Sequence, residues 1–246
     1  MSSTLASIPD ALGSAWDAVS AVSEPAPPAL IVTTAVIALV LVTVRPLWLA
    51  TRHLITQAHE GSHALVARLV GRRLSGIRLH SDTSGVTVSS GNPRGPGMIA
   101  TAFAGYVGPA VLGFLAATLL TLDRPAAVLW SVLAALALLI LLIRNLFGFL
   151  SVLVVGAAVG AAAYYGDPVI RYTAAYLLTW VLLFGATRPV VELARTHRRG
   201  GGGGSDADQL RWLTRIPAAV WILVFGLVTA GTAVYGTARI VLTQLV

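Results

Sequence analysis

The sequence predicts an all-α polytopic membrane protein with about seven transmembrane helices and a short membrane-associated β-hairpin after the second. Three observations carry that prediction. Hydrophobic residues make up 56% of the 246 and charged residues only 11%, where a soluble domain carries about 25% charged residues. The mean hydropathy is +0.80, and the apolar residues fall into runs long enough to cross a hydrocarbon core as helices. The charged residues gather between those runs, where loops belong.

Residues 1–28 read as an N-terminal arm closed by Pro25, Pro27 and Pro28. The arm carries Asp10, Asp17 and Glu24 but no Lys or Arg. It lacks the basic start of a signal peptide, so it is expected to be retained, on the cytoplasmic side. Residues 29–246 then form one intramembrane domain. Its first span is expected over 29–50, with Arg45 and Pro46 near the far end, and its second over 52–72. As a helix, 52–72 is about 30 Å long, enough to cross. Further spans are expected over 97–122, 126–143, 146–165, 169–187 and 218–245. Asp123-Arg124-Pro125, Arg144-Asn145 and Gly166-Asp167-Pro168 divide the middle ones.

Between the second and third spans, Ile77, Leu79, Val86 and Val88 flank the turn composition Ser81-Asp82-Thr83-Ser84-Gly85. That pattern predicts a hairpin over 74–90, followed by the Gly/Pro loop Gly91–Gly97. Residues 200–205, five glycines and Ser205, have the composition of a flexible linker.

The net charge is +7, and all 17 basic residues are Arg. Nucleic acid is excluded as the partner, because the arginines sit between apolar spans, where orientation in the bilayer explains them. With the N-terminus inside and seven crossings, Arg68, Arg72, Arg73, Arg78, Arg94, Arg144, Arg188, Arg195, Arg198, Arg199, Arg211 and Arg215 fall on the cytoplasmic side. Only Arg45, Arg52, Arg124, Arg171 and Arg239 fall opposite. The positive-inside bias therefore favours a multi-pass plasma-membrane protein with its N-terminus in and its C-terminus out.

The chemistry lies in His59-Glu60-Gly61-Ser62-His63, inside the apolar stretch 54–70. On a helix the two histidines stand one turn apart on one face, so both imidazoles reach one metal ion. Glu60 lies about 100° round the helix, close enough to activate a water on that metal. Ionisable residues inside an apolar helix are costly and mark a functional site. In this orientation the motif occupies the cytoplasmic half of its span.

A hydrolytic zinc takes three protein ligands and keeps one position open. There is no Cys, so the third ligand is a histidine or a carboxylate. His53 is too far up the same helix, and His80 and His197 read as surface residues. Asp82, Asp123, Asp167 and Glu192 read as turn or interfacial groups. Asp206 is the expected third ligand, with Asp208 second choice, because both follow the linker on the cytoplasmic side. Asp206 is equally suited to cap the segment Ala207–Arg215, a common role for Asp. Gly105, Gly108 and Gly113 allow helices to approach closely, and Pro109 kinks its span. Asn145 is either part of a turn or a donor to a substrate carbonyl or oxyanion.

Four segments in this order resemble the site-2 protease superfamily of intramembrane zinc metalloproteases, in particular the small bacterial B-like branch of metallopeptidase family fifty. They are His59–His63, the glycine-rich Ala104–Ala110, Arg144-Asn145-Leu146-Phe147-Gly148, and Ser205–Leu210 followed by Ile216-Pro217 and Trp221. The resemblance covers roughly Ala29 to Val246. It implies zinc held by His59, His63 and Asp206, with Glu60 as general base. It also implies that the hairpin Ile77–Val88 pairs with an extended substrate by strand addition. The implied activity is cleavage of membrane-protein or peptide segments in or beside the bilayer. Better-studied members carry an Asp-Gly pair where Asp206 is followed by Ala207. A zinc-binding pseudoprotease or scaffold is the rival reading. A transporter is disfavoured, because the spans hold few ionisable groups for a relay.

Overall fold

The structure is a computed structural model that describes residues 20–201 and 203–245. Most of the expected N-terminal arm, residues 1–19, lies outside the described residues. The elements are α1 (Pro28–Thr43), α2 (Arg45–Leu69), β1 (Arg73–Leu79), β2 (Gly85–Ser90), α3 (Pro96–Leu120), α4 (Pro125–Leu142), α5 (Leu146–Tyr165), α6 (Pro168–Gly185), α7 (Thr187–Arg198), α8 (Asp206–Thr214) and α9 (Ala218–Gln244). Prolines open α1, α3, α4 and α6, where the missing N–H has no partner to lose and the fixed φ suits a helix.

Among the described residues, five helical runs are long and apolar enough to cross a membrane, or six if the bent pair α1 and α2 counts as one. Length and composition therefore do not reach the seven spans expected. The difference arises near the start of the chain. The boundary expected at residue 51 falls instead at Val44, which is extended, and α1 and α2 meet there at 101°. Pro46 has no N–H to offer the carbonyl of Val42, four residues back. The Arg188 guanidinium donates to that carbonyl instead. Further on, α6 and α7 run together as one span of 31 residues, Pro168–Arg198, longer than the 169–187 expected.

The bent pair also changes where the ends lie. Ser23 N–H donates to the Asp123 carbonyl at 2.8 Å, and the Tyr172 hydroxyl donates to the Glu24 carbonyl. At the other end of the chain, Gln244 donates to the Asp123 carboxylate at 3.0 Å. The chain before α1 and the end of α9 therefore meet at one end of the bundle. The hairpin lies at the opposite end, where α3 begins. Residues 20–27, the described part of the arm, thus sit away from the hairpin.

The hairpin forms within the expected segment, with Ile77 opposite Thr87 and a bulge between Leu74 and Gly76. Its turn is closed by His80 N–H to the Ser84 carbonyl at 2.8 Å and is tied to α2 by Thr56 Oγ1, which donates to the Thr83 carbonyl at 2.9 Å. The far edge of β1 is also occupied. Ile77 bridges Ile143 in parallel, and Arg144 N–H donates to the Ile77 carbonyl at 2.9 Å. Among the described residues, β2 has no backbone partner outside its ladder with β1.

Two apolar clusters seat the functional elements. Ala64, Ile77, Leu79, Leu136, Leu139, Ile143 and Val152 bind the hairpin to α2, α4 and α5. Ala102, Val190, Ala207, Leu210, Ala218, Ile222 and Phe225 lodge α8 among α3, α7 and α9. Leu138, Leu141, Val154 and Leu227 are exposed on the outer surface, as lipid-facing side chains of an integral membrane protein must be.

Candidate metal centre

His59 and His63 project from one face of α2 toward α3 and α8. His63 Nδ1 donates to the Thr101 carbonyl of α3 at 2.7 Å, which fixes the tautomer and turns Nε2 inward. The two Nε2 atoms are 3.1 Å apart. Gly105 makes the space for them: a Cβ there would overlap both imidazoles. Gly108, one turn on, faces Ser62 in the same way, so α2 and α3 approach at two glycines. The His59 ring meets the Tyr106 ring edge-on at 4.9 Å, and Tyr106 stacks on Phe225.

Asp206 completes the group. Its Oδ2 lies 3.2 Å from Nε2 of both His59 and His63. The start of α8 explains why this carboxylate and not its neighbour is brought there. Ser205, rather than Asp206, is the N-cap. Asp208 reaches back to Ser205 Oγ at 2.7 Å and to the Gly203 and Ser205 amides, completing a capping box. Asp206 is left to face α2, and buried Ala207 and Leu210 anchor the helix behind it. Burial works to raise the Asp206 carboxyl, but hydrogen bonds and charge from His59 and His63 outweigh it and hold it well below the usual carboxylate range.

The donor set suits zinc. Two imidazole nitrogens and a carboxylate oxygen are its ordinary ligands, and with bonds of about 2.0–2.1 Å a tetrahedron spaces them by roughly 3.3 Å. The spacings of 3.1 and 3.2 Å match that triangle closely. The three residues border a cavity of about 490 Å³ lined by α2, β2, α3 and the start of α8.

Glu60 borders the same cavity and is buried. Thr87 of β2 donates to its Oε2 at 2.6 Å. Gly85 lies against its side chain so closely that a Cβ would come within 2.6 Å of Glu60 Cγ. The hairpin therefore clasps the carboxylate.

Of the other expected site residues, Val86 and Val88 line this cavity and the rest lie off it. Ile77 and Leu79 are core residues beneath the hairpin, whereas Val86 and Val88 are exposed. Asn145 is engaged with β1: its Oδ1 accepts from Leu79 N–H at 3.1 Å, and its Nδ2 donates to the Leu79 carbonyl at 2.7 Å. Asp167 caps α6. Thr87 and Thr101 lie outside every sequence motif named above. Alternation along β2 is the signal for the first, since Gly85, Thr87 and Ser89 share the inward face. No sequence signal marks the carbonyl of Thr101.

Apolar helices around a His-His-Asp group that could hold a metal ion, with a second acidic side chain, Glu60, on the same cavity, are the arrangement of a membrane metalloprotein. The peptidase M50B-like family model matches residues 32–236, and the chain belongs to that family. It is thus a site-2 protease-like membrane metallopeptidase. Comparisons with curated proteins and with solved structures find no match.

Proposed function

We propose that the protein is a zinc-dependent intramembrane endopeptidase that cuts peptide bonds in or near transmembrane segments. The convergence of His59, His63 and Asp206 within 3.2 Å, on a cavity shared with Glu60, carries this reading. Bound by those three residues, zinc supplies Lewis acidity that makes a water acidic and polarises the scissile carbonyl. Glu60 takes the proton from the attacking water and returns it to the leaving amine. Thr87 and Gly85 hold Glu60 in place for both transfers.

A substrate must present an extended backbone, because a helix hides its carbonyls in its own hydrogen bonds. The open edge of β2 supports strand addition there, with Val86 and Val88 flanking the substrate strand and Ile77 and Leu79 backing the hairpin. Asn145 acts in this reading by positioning β1, since both ends of its amide are engaged with Leu79.

The active site faces the cytoplasm in this reading. Six crossings leave Arg124, Arg171 and Arg239 at the Asp123 end, against the many arginines at the hairpin end. Residues 20–27, which hold no Lys or Arg, sit at that arginine-poor end, so this reading keeps the site cytoplasmic and reverses the N-terminus-in orientation expected from seven crossings.

The test is purified wild type against Glu60→Gln, with zinc content measured for both and cleavage of detergent-solubilised transmembrane peptides read by mass spectrometry. Wild type cuts and the variant does not, at equal zinc. Cleavage by Glu60→Gln at the wild-type rate overturns the mechanism. Zinc binding by wild type without cleavage assigns the chain to the pseudoprotease reading.

A further inference from the structure

We propose that Arg72 forms a subsite for an acidic side chain of the substrate, about two residues from the scissile bond. The inference rests on the endopeptidase reading and adds a substrate class to it.

The local sequence fixes where Arg72 goes. α2 ends in a left-handed Gly71, with φ at 78°. Gly71 N–H donates to the Arg68 carbonyl at 3.1 Å and Arg72 N–H to the Ala67 carbonyl at 2.8 Å, the paired bonds of a Schellman motif. The chain is thereby turned into β1 with the Arg72 side chain directed at the end of β2. There it is 8% exposed and lines the same cavity as His59, Glu60, His63 and Asp206.

Its partners are all neutral. Nε donates to Ser89 Oγ at 3.1 Å and Nη1 to the Asn92 carbonyl at 2.6 Å. Among the described residues no carboxylate lies within 4.0 Å of it, whereas Arg52 and Arg188 each pair with Glu192. A guanidinium withdrawn from water without a counter-charge is costly. It also retains Nη2 and half of Nη1, an edge from which a carboxylate accepts two parallel hydrogen bonds.

The strand register sets the distance to the chemistry. Gly85 and Thr87 meet Glu60 on the inward face of β2, and Ser89 on the same face meets Arg72. Thr87 and Ser89 are two residues apart, roughly 6.8 Å along a strand. An extended peptide beside β2 with its scissile carbonyl at Glu60 thus carries a side chain two residues away to Arg72.

Binding tests this without turnover. Zinc-loaded Glu60→Gln protein in neutral detergent micelles is titrated with two fluorescein-labelled apolar peptides that differ only by Glu or Gln at one central position. The Glu peptide is expected to bind about tenfold more tightly or better, the scale of one charge-assisted hydrogen-bonded contact. Adding Arg72→Gln should erase the preference by weakening the Glu peptide about tenfold more than the Gln peptide, with the zinc content retained. Arg72→Lys should keep most of the preference, and decides the matter if Arg72→Gln loses its metal. Equal affinities in the Arg72 parent, no binding of either peptide, or a preference that survives Arg72→Gln overturns the proposal. So does a preference abolished by phosphatidylglycerol, which would assign Arg72 to a lipid phosphate. Wild-type cleavage is scored separately: absent cleavage with a Glu preference intact sinks the endopeptidase reading and leaves the carboxylate subsite standing.

Discussion

Thr87 of the hairpin donates its hydroxyl to Oε2 of Glu60 across 2.6 Å, so the orientation of this carboxylate depends on β2 as well as on the helix that carries it. A hydrogen bond to a charged group contributes about 1.5–3 kcal/mol. Thr87→Val is therefore expected to lower kcat by roughly 10–100-fold. Zinc content and KM should change little, because the metal ligands and the β2 edge are untouched. Thr87→Ser should restore most of the rate, and a rate equally low in the serine variant would show that the methyl, not the hydroxyl, matters.

Two glycines separate metal binding from turnover. Gly85→Ala would place a Cβ 2.6 Å from Glu60 Cγ, while Gly105→Ala would drive one into the His59 and His63 rings. Gly85→Ala should keep full zinc by metal analysis and lose cleavage. Gly105→Ala should lose the zinc itself. Stoichiometric zinc in Gly105→Ala would show that the imidazoles have room the packing does not suggest.

Much of this site is legible in the sequence, and the limits are physical. His59, Glu60 and His63 announce themselves because a one-turn spacing is local and charge in an apolar helix is costly. The convergence of Asp206 on them depends on a contact across more than 140 residues of chain. The capping box that engages Asp208 is written locally as Ser205-x-x-Asp208, a relative of the usual capping signature. The bend at Val44 is harder to read, since Pro46 indicates a break but not that Arg188, on a distant helix, would satisfy the freed Val42 carbonyl. The hairpin is visible from its turn and alternation. Which of its edges stays open depends on Ile143 and Asn145 lying against β1, a tertiary fact that no pattern within 74–90 contains.

The neighbouring aspartates of α8 should fail differently. Asp206→Ala removes an oxygen placed 3.2 Å from both imidazoles. Zinc affinity is expected to fall by more than the roughly 10–100-fold typical of removing a partner outside the ligand sphere. Asp208→Ala breaks the capping box and costs about 0.5–2 kcal/mol of helix stability, with the zinc retained at equilibrium. Dialysis against a graded chelator reads the first effect and thermal unfolding in detergent the second. The reverse pattern would exchange the two roles.

Glu192 is the electrostatic pin of the bent pair. It pairs with Arg52 at 3.0 Å and Arg188 at 3.3 Å and accepts from Trp48 Nε1 at 3.0 Å. The same Arg188 lies over the Trp48 ring and donates to Val42 at the break. Glu192 thus ties α7 to α2, and Arg188, which it holds, ties α7 to the end of α1 across the 101° bend. Glu192→Gln keeps the shape and an acceptor but leaves two arginines facing a neutral group. The ions are about one-third exposed, so water screens part of the loss, and about 1–2 kcal/mol is expected, between the values for surface and buried pairs. That corresponds to a fall of roughly 2–8 °C in Tm. Arg188→Met should cost more, because it also orphans the Val42 carbonyl that Pro46 cannot bond. Zinc should stay bound in Glu192→Gln, since His59 is anchored by α3 and α8 and not by the bend. An unchanged Tm in both variants would mean that the apolar packing of α1 on α6 alone holds the angle.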